Sequence, residues 1–302
     1  MGLKMGGALV VGAGLMGRWH ASNLRRLNVP VSGIVDPVRE QALGVARACG
    51  GAPTFSSLHE ALGQGPHISA HVCTPLSTHV ELVSDLLDSG VHVIVEKPVA
   101  TSYAETVTLV EKASAAGLML VPVHQFLFET GFLRLLDEVR TTGPIRHIDM
   151  VASSAGAAAG GPETAEEVMA DILPHPLSLM RRILGPAVGE AEWLAAGDRP
   201  GELRASATCA GATLGILISM AGRPTRNTLR VMGENGTTHV DLFHGFAVTE
   251  PPSATRVRKI SRPLTLATRS LATATFNLAA RGARGEPAYP GLRELLRRYY
   301  SA

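Results

Sequence analysis

ALVVGAGLMGRWHA, residues 8–21, decides the fold. The apolar run Ala8–Val11 meets Gly12, Gly14 and Gly17 in the spacing GxGxxG, and a helix-forming stretch follows from Met16. A strand that turns on glycines into a helix is the first unit of a doubly wound sheet. Gly12 permits the tight turn, Gly14 lets a pyrophosphate approach the backbone, and Gly17 lets helix and strand pack closely. The helix N-terminus then faces phosphate with unpaired N–H groups. Asp36 stands 19 residues past Gly17, at the end of the next apolar run. A carboxylate there accepts hydrogen bonds from ribose hydroxyls and repels a 2′-phosphate, which favours NAD. Arg39 would accommodate that phosphate, and so NADP, if it turned inward. Gly12, Gly14, Leu15, Met16, Gly17, Asp36 and Arg39 are the candidate cofactor residues of this loop. The alternative is a glycine turn in a dinucleotide-type domain that has lost its ligand.

The same rhythm continues to about residue 125. Apolar runs at Ala8–Val11, Val31–Val35, Ile68–Cys73, Val91–Val95 and Leu118–Val123 alternate with helix-like stretches. They are apolar throughout, as strands covered on both faces must be. Beyond that point the pattern changes. Glu129–Arg140 reads as a helix, Ile145–Ser154 as a strand, Ala155–Thr164 as a loop, and Glu166–Leu184 as a helix that Pro174 and Pro176 distort or interrupt. Strand-like runs then follow without helices between them: Ala191–Ala196, Leu203–Cys209, Thr213–Met220, Thr228–Met232 and Thr238–Leu242. Asn235-Gly236 offers a hairpin turn. Leu264–Ala280 and Leu292–Tyr300 close the chain as helices. The predicted class is α/β, with a Rossmann domain over residues 1–125. Residues 126–302 form a second α/β domain with a mainly antiparallel sheet, for substrate and oligomerisation.

Bulk properties narrow the function classes. The 302 residues exceed what one core usually spans. Net charge is only +2, which does not suggest a nucleic-acid partner. From Arg256 onward ten Lys/Arg face two Glu; that tail reads as a solvated helical face, or else one that meets a phosphorylated substrate or an anionic membrane. Three scattered cysteines suit a reducing, cytoplasmic setting. No apolar run is long enough to span a membrane. The apolar N-terminus faintly resembles a signal peptide but ends in the glycine motif, which explains it better.

Two further motifs carry chemistry. CTPLSTHVELVSDLLDSGVHVIVEKPVAT, residues 73–101, delivers Glu96, Lys97 and Pro98 at the end of an apolar run. MADILPHPLSLM, residues 169–180, places Asp171 and His175 four apart, one face of a helix. Oxidising an alcohol needs a hydride acceptor, a proton acceptor and donors for the developing oxyanion. A lysine in a cleft and a histidine that titrates near neutrality suit the last two tasks.

Thr74-Pro75 followed by His79, then Glu96-Lys97-Pro98, then Asp171 with His175, all after GAGLMGRWHA, together resemble the glucose–fructose oxidoreductase and inositol dehydrogenase (Gfo/Idh/MocA) family. VMGENGT resembles a family turn in the second-domain sheet. The resemblance implies NAD(P) chemistry on a hydroxyl/ketone pair of a sugar- or cyclitol-like molecule, and a homodimer or homotetramer formed through the C-terminal sheet. It implies that Thr74 and Pro75 line the nicotinamide site, that Lys97 reaches the reacting oxygen after an often cis Lys-Pro bond, and that Asp171 and His175 complete the site. The catalytic assignment is Lys97 as oxygen polariser, His175 as proton donor/acceptor and Asp171 as orienting group. His79 and Glu96 join the cofactor residues, His20 supports the cofactor loops, and His124 joins the substrate residues. No metal is expected, because two ligands at i and i+4 are too few.

The chain departs from the family's DxGxHxxD pattern at Leu173 and Ser178. Glu166-Glu167-Val168 replaces the preceding glycine pair, which points to a reshaped pocket. The length is also short for the family. Two other functions remain open: an eliminase or epimerase that recycles its cofactor after transient oxidation, and a non-catalytic dinucleotide-binding sensor or scaffold.

Overall fold

The computed structural model describes residues 7–154, 161–252, 255–286 and 289–301. The chain divides into two units, Met1–Val123 with Leu292–Ala302, and His124–Gly291.

The first unit is a six-stranded parallel sheet with the order β3-β2-β1-β4-β5-β6. Its elements are β1 (Ala8–Val11), α1 (Leu15–Arg26), β2 (Val31–Val35), α2 (Arg39–Ala48), β3 (Thr54–Phe55), α3 (Leu58–Leu62), β4 (Ser69–Val72), α4 (His79–Asp88), β5 (His92–Val95), α5 (Tyr103–Ala115) and β6 (Leu120–Pro122). β1 and β4 are buried along their whole length, and β5 along all but its first residue. The edge strand β3 escaped the sequence reading because its two residues carry no period. Ser102 and Glu105 close a capping box that starts α5. The order reverses between β1 and β4, so the crevice at the carboxyl ends of those two strands is the topological switch point where such sheets bind ligands.

The last helix, α10 (Leu292–Tyr299), belongs to this unit and not to the second domain. It buries Leu292, Leu295, Leu296 and Tyr299 and packs on α1. An amphipathic period marks the buried face of a helix but not the sheet it serves, so the expected division at 125/126 missed the return.

The second unit holds a seven-stranded, mainly antiparallel sheet, in the order β13-β12-β11-β7-β10-β9-β8. It contains α6 (Thr130–Val139), β7 (Ile145–Ser153), α7 (Gly161–Ile172), α8 (Pro174–Leu184), β8 (Leu194–Ala196), β9 (Glu202–Cys209), β10 (Ala212–Ser219), β11 (Arg226–Gly233), β12 (Gly236–Asp241), β13 (Phe246–Glu250) and α9 (Arg256–Arg284). β7 and β10 pair in parallel; the other pairs are antiparallel. Burial alternates along β7 and β10. Ile148, Met150, Leu214, Ile216, Leu229 and Val231 turn to a core that Phe132, Leu135, Leu179 and Met180 complete. The sequence missed β13.

Two expectations change here. The loop expected at 155–164 falls mostly outside the described residues, and its last residues already belong to α7. The hairpin between β11 and β12 turns on Glu234-Asn235, with Gly233 opposite Gly236. Gly236 sits inside the ladder, where a Cβ would come 2.8 Å from the Glu250 carbonyl oxygen. The basic tail keeps most of its charges in solvent: Arg256, Lys259, Arg262, Arg269, Arg284, Arg297 and Arg298 are exposed. Arg262 pairs with Glu250, and Arg269 donates to the Thr249 carbonyl. Beside them α9 also exposes Val257, Ile260, Leu264, Leu271 and Leu278, each at least 69% exposed.

Glu129, just before α6, is only 1% exposed, and among the described residues neither carboxyl oxygen has a hydrogen-bond partner. Burial pushes its pKa well above the usual carboxylate range, the Asp241 charge adds to this, and Arg281 opposes it. Its stabilising contribution is complete below the unfolded pKa. The contribution is lost as pH rises from there through the folded value, because the unfolded chain ionises first. Between mildly acidic and mildly alkaline pH, wild type is therefore expected to lose more stability than Glu129→Gln, as read from urea midpoints. Equal losses would contradict the assignment.

Candidate active site

In the first unit the candidate residues sit after the carboxyl ends of adjacent strands: Gly12 after β1, Asp36 after β2, Thr74 after β4, and Lys97 after β5. Gly12 has φ +94°, and a Cβ there would come 2.7 Å from the Cys73 carbonyl oxygen. A Cβ on Gly17 would overlap the Gly12 carbonyl oxygen, which explains why helix and strand can lie so close. At Gly14 a Cβ would meet nothing within 4 Å. Gly14 is the N-cap of α1; no side chain caps the helix, and its first turn carries no acid. Open space over an uncapped helix N-terminus beside a close-packed turn fits a pyrophosphate.

Asp36 holds this loop together. One carboxylate oxygen accepts from Ala13 N at 2.7 Å, the other from Val38 N at 2.8 Å. Arg39 is exposed at the start of α2, and Leu15 is 63% exposed beside the loop, with Met16 half-buried behind it.

His79 ties the Thr74-Pro75 turn to the segment after Lys97. Its Nδ1 lies 2.8 Å from the Pro98 carbonyl oxygen and its Nε2 lies 3.0 Å from that of Thr74. Both partners are acceptors, so a neutral ring donates to one of them. Thr78 adds a hydroxyl bond to Thr74 and another to the Pro75 carbonyl. Lys97 is half-buried, and its bond to Pro98 is cis. Glu96 turns inward: its backbone N–H bonds Val72, and its carboxylate lies 3.0 Å from His20 Nε2. Burial, with the Glu96 charge second, raises the Cys73 thiol pKa well above the ordinary range, which disfavours the thiolate.

In the second unit Asp171 and His175 do not share one helix. Pro174 opens α8, so the chain divides after Ile172. Asp171 is exposed in the last turn of α7; His175 is 6% exposed in the first turn of α8. Phe126 meets the His175 ring edge-on at 4.6 Å between centroids. Ser178, standing where the family has its second aspartate, bonds the His175 carbonyl. His124 is half-buried at the start of the turn Gln125–Phe128 that carries Phe126. Among the described residues, no group of three His, Cys, Asp or Glu could hold a metal ion, and no helix is long and apolar enough to cross a membrane.

The sequence reading missed His71, Ser69 and Tyr300, which join His20 and Glu96 in one buried chain. The available signal was a histidine inside the otherwise apolar run of β4.

The first unit is thus a dinucleotide-type α/β domain with a lysine beside the binding crevice. Residues 7–124 match the model of the Gfo/Idh/MocA oxidoreductase family with the NAD-binding Rossmann fold. A 4-carboxy-2-hydroxymuconate-6-semialdehyde dehydrogenase of Sphingobium sp. is 30% identical over 127 residues, 39% of this chain and 40% of that one. A myo-inositol 2-dehydrogenase of Thermotoga maritima is 26% identical over 193 residues, 60% of this chain and 55% of that one. The chain thus spans about half the length of these curated relatives, or less. The structure of GenD2 from gentamicin A biosynthesis, in complex with NAD, superimposes with a TM-score of 0.69 at 26% identity, covering 79% of this chain and 73% of that one.

Proposed function

We propose that this protein is an NAD-dependent oxidoreductase acting on a hydroxyl/ketone pair of a sugar- or cyclitol-like molecule. The observation that carries this reading is the placement of the glycine cradle, Asp36 and Lys97 after adjacent strands around the switch point, with His79 bonded to both the Thr74 turn and the Lys97-Pro98 segment. The dehydrogenase relatives support the substrate class.

When bound, the nicotinamide supplies the hydride acceptor or donor. The chain's own part is proton and charge handling. Lys97 donates to the substrate oxygen and stabilises its developing charge. His175 exchanges the proton, Asp171 orients, and His124 contacts the substrate. Thr74 and Pro75 border the nicotinamide, and Gly12, Gly14 and Gly17 hold the pyrophosphate. The protein works in the cytoplasm as a homodimer or homotetramer, paired through the outer face of the seven-stranded sheet. A groove of about 980 Å³ lies on that face, lined in part by His147, Asp149, Arg204, Thr213 and Leu217.

Fluorescence titration with NADH and NADPH separately tests the cofactor reading. NADH is expected to bind about tenfold tighter or more, one charge repulsion being of the order of 1.4 kcal/mol. Asp36→Ser is expected to narrow that gap. Binding of neither dinucleotide would end the reading. NADH accumulation is then followed over a panel of sugars and cyclitols. Turnover without accumulation would indicate elimination or epimerisation with the cofactor recycled.

A further inference from the structure

Five side chains of the first unit form one buried chain of hydrogen bonds. Ser69 Oγ lies 2.8 Å from the Tyr300 hydroxyl, which lies 2.7 Å from His71 Nε2. His71 Nδ1 lies 2.7 Å from His20 Nδ1, and His20 Nε2 lies 3.0 Å from Glu96 Oε1. Ser69, His71 and His20 are 0% exposed, Tyr300 1% and Glu96 9%.

Two Nδ1 atoms in contact share one proton, so the two rings must take opposite roles. With Glu96 as a carboxylate, a neutral His20 donates from Nε2 and accepts at Nδ1. His71 then donates from Nδ1 and accepts at Nε2 from Tyr300, whose oxygen accepts from Ser69. One set of tautomers satisfies every contact. With both rings neutral, reversing it requires a protonated Glu96, with Tyr300 then accepting from His71 and donating to Ser69. Burial raises the Tyr300 pKa, keeping the phenol protonated, and holds His71 well below the usual histidine range, in its neutral form.

The far end of the chain is closed to water, because Ser69 and Tyr300 are both buried. The chain therefore does not carry protons to solvent; it holds a carboxylate. We propose that Tyr300 is a positioning residue for Lys97, acting through His71 and His20 to fix the Glu96 carboxylate at the strand end that presents the lysine. This rests on the reading of Lys97 as the group that meets the substrate oxygen. It brings the C-terminal segment into that centre, 203 positions away in sequence.

The test reads Lys97 directly and needs no substrate. Lysines are acetylated with acetic anhydride across a pH series, and the peptides carrying Lys97, Lys112 and Lys259 are quantified by mass spectrometry. Tyr300→Phe keeps the ring and removes the hydroxyl. Glu96 and Lys97 are consecutive, and a Glu96 carboxylate released from His20 is expected to turn toward the ammonium of the next residue, so that Lys97 acetylation slows about threefold, equal to about half a pKa unit. Lys112 and Lys259 should keep their wild-type rates. Ser69→Ala should slow Lys97 in the same sense by less, and it decides the matter if Tyr300→Phe does not fold. An unchanged or faster Lys97 rate in a folded variant overturns the proposal. In wild type, ¹⁵N NMR is expected to show His71 protonated at Nδ1 and His20 at Nε2; the opposite pair would overturn it as well. If Lys97→Ala leaves turnover intact, the catalytic reading fails on its own while this coupling is still measured.

Discussion

Lys97→Ala is expected to bind NADH within about twofold of wild type and to transfer hydride about 10²–10⁴ times more slowly, the range that one positioned acid–base group contributes. The backbone around Lys97 is held by other groups. His79 ties the neighbouring Pro98 carbonyl to the Thr74 turn, and the Glu96 N–H is bonded to Val72. The cradle should therefore survive the substitution. Single-turnover stopped flow on a substrate found in the panel separates the rate of hydride transfer from NADH affinity. Lys97→Arg refines the role. Arginine keeps a positive charge but does not deprotonate. Partial recovery would mean that the lysine polarises the oxygen, whereas no recovery would mean that it exchanges a proton. Unchanged hydride transfer in Lys97→Ala would remove Lys97 from the mechanism.

Gly17→Ala is the second large effect. Its Cβ would overlap the Gly12 carbonyl oxygen. That neighbour is backbone, held in turn by the Gly12 N–H bond to Val35, so α1 must move away from β1. Overpacking of this kind costs about 1–3 kcal/mol. The helix N-terminus moves with the helix, so NADH affinity should fall by about tenfold or more. Gly14→Ala is the control. A Cβ at that position meets nothing within 4 Å, and its φ of −69° suits alanine. That variant should keep the wild-type melting temperature and still bind NADH more weakly, because the methyl group occupies the space left for pyrophosphate. If Gly14→Ala binds NADH normally, the dinucleotide does not lie over that helix end.

Much of this molecule was legible in the sequence because the signals are local. The runs Ala8–Val11 and Val31–Val35 coincide with β1 and β2 to the residue. The glycine loop, Asp36 and Lys97 could be placed because each lies directly after a strand, and adjacency in sequence is adjacency in space there. The same logic fails where structure depends on distant partners. Asp171 and His175 suggested one helical face at a spacing of four, but the proline between them starts a new helix.

The sequence by itself therefore determined the doubly wound domain, its glycine turn after β1 and the lysine that follows β5. Period, turn chemistry and spacing act over a few residues and leave their trace there. Only the tertiary structure decided that α10 returns to the first sheet, that Glu129 is buried with no hydrogen-bond partner among the described residues, and that His20, His71, Glu96 and Tyr300 share one line of hydrogen bonds. A histidine or tyrosine has the same letter whether it faces water or a buried partner. What sets its proton and its role is the group brought against it from far along the chain.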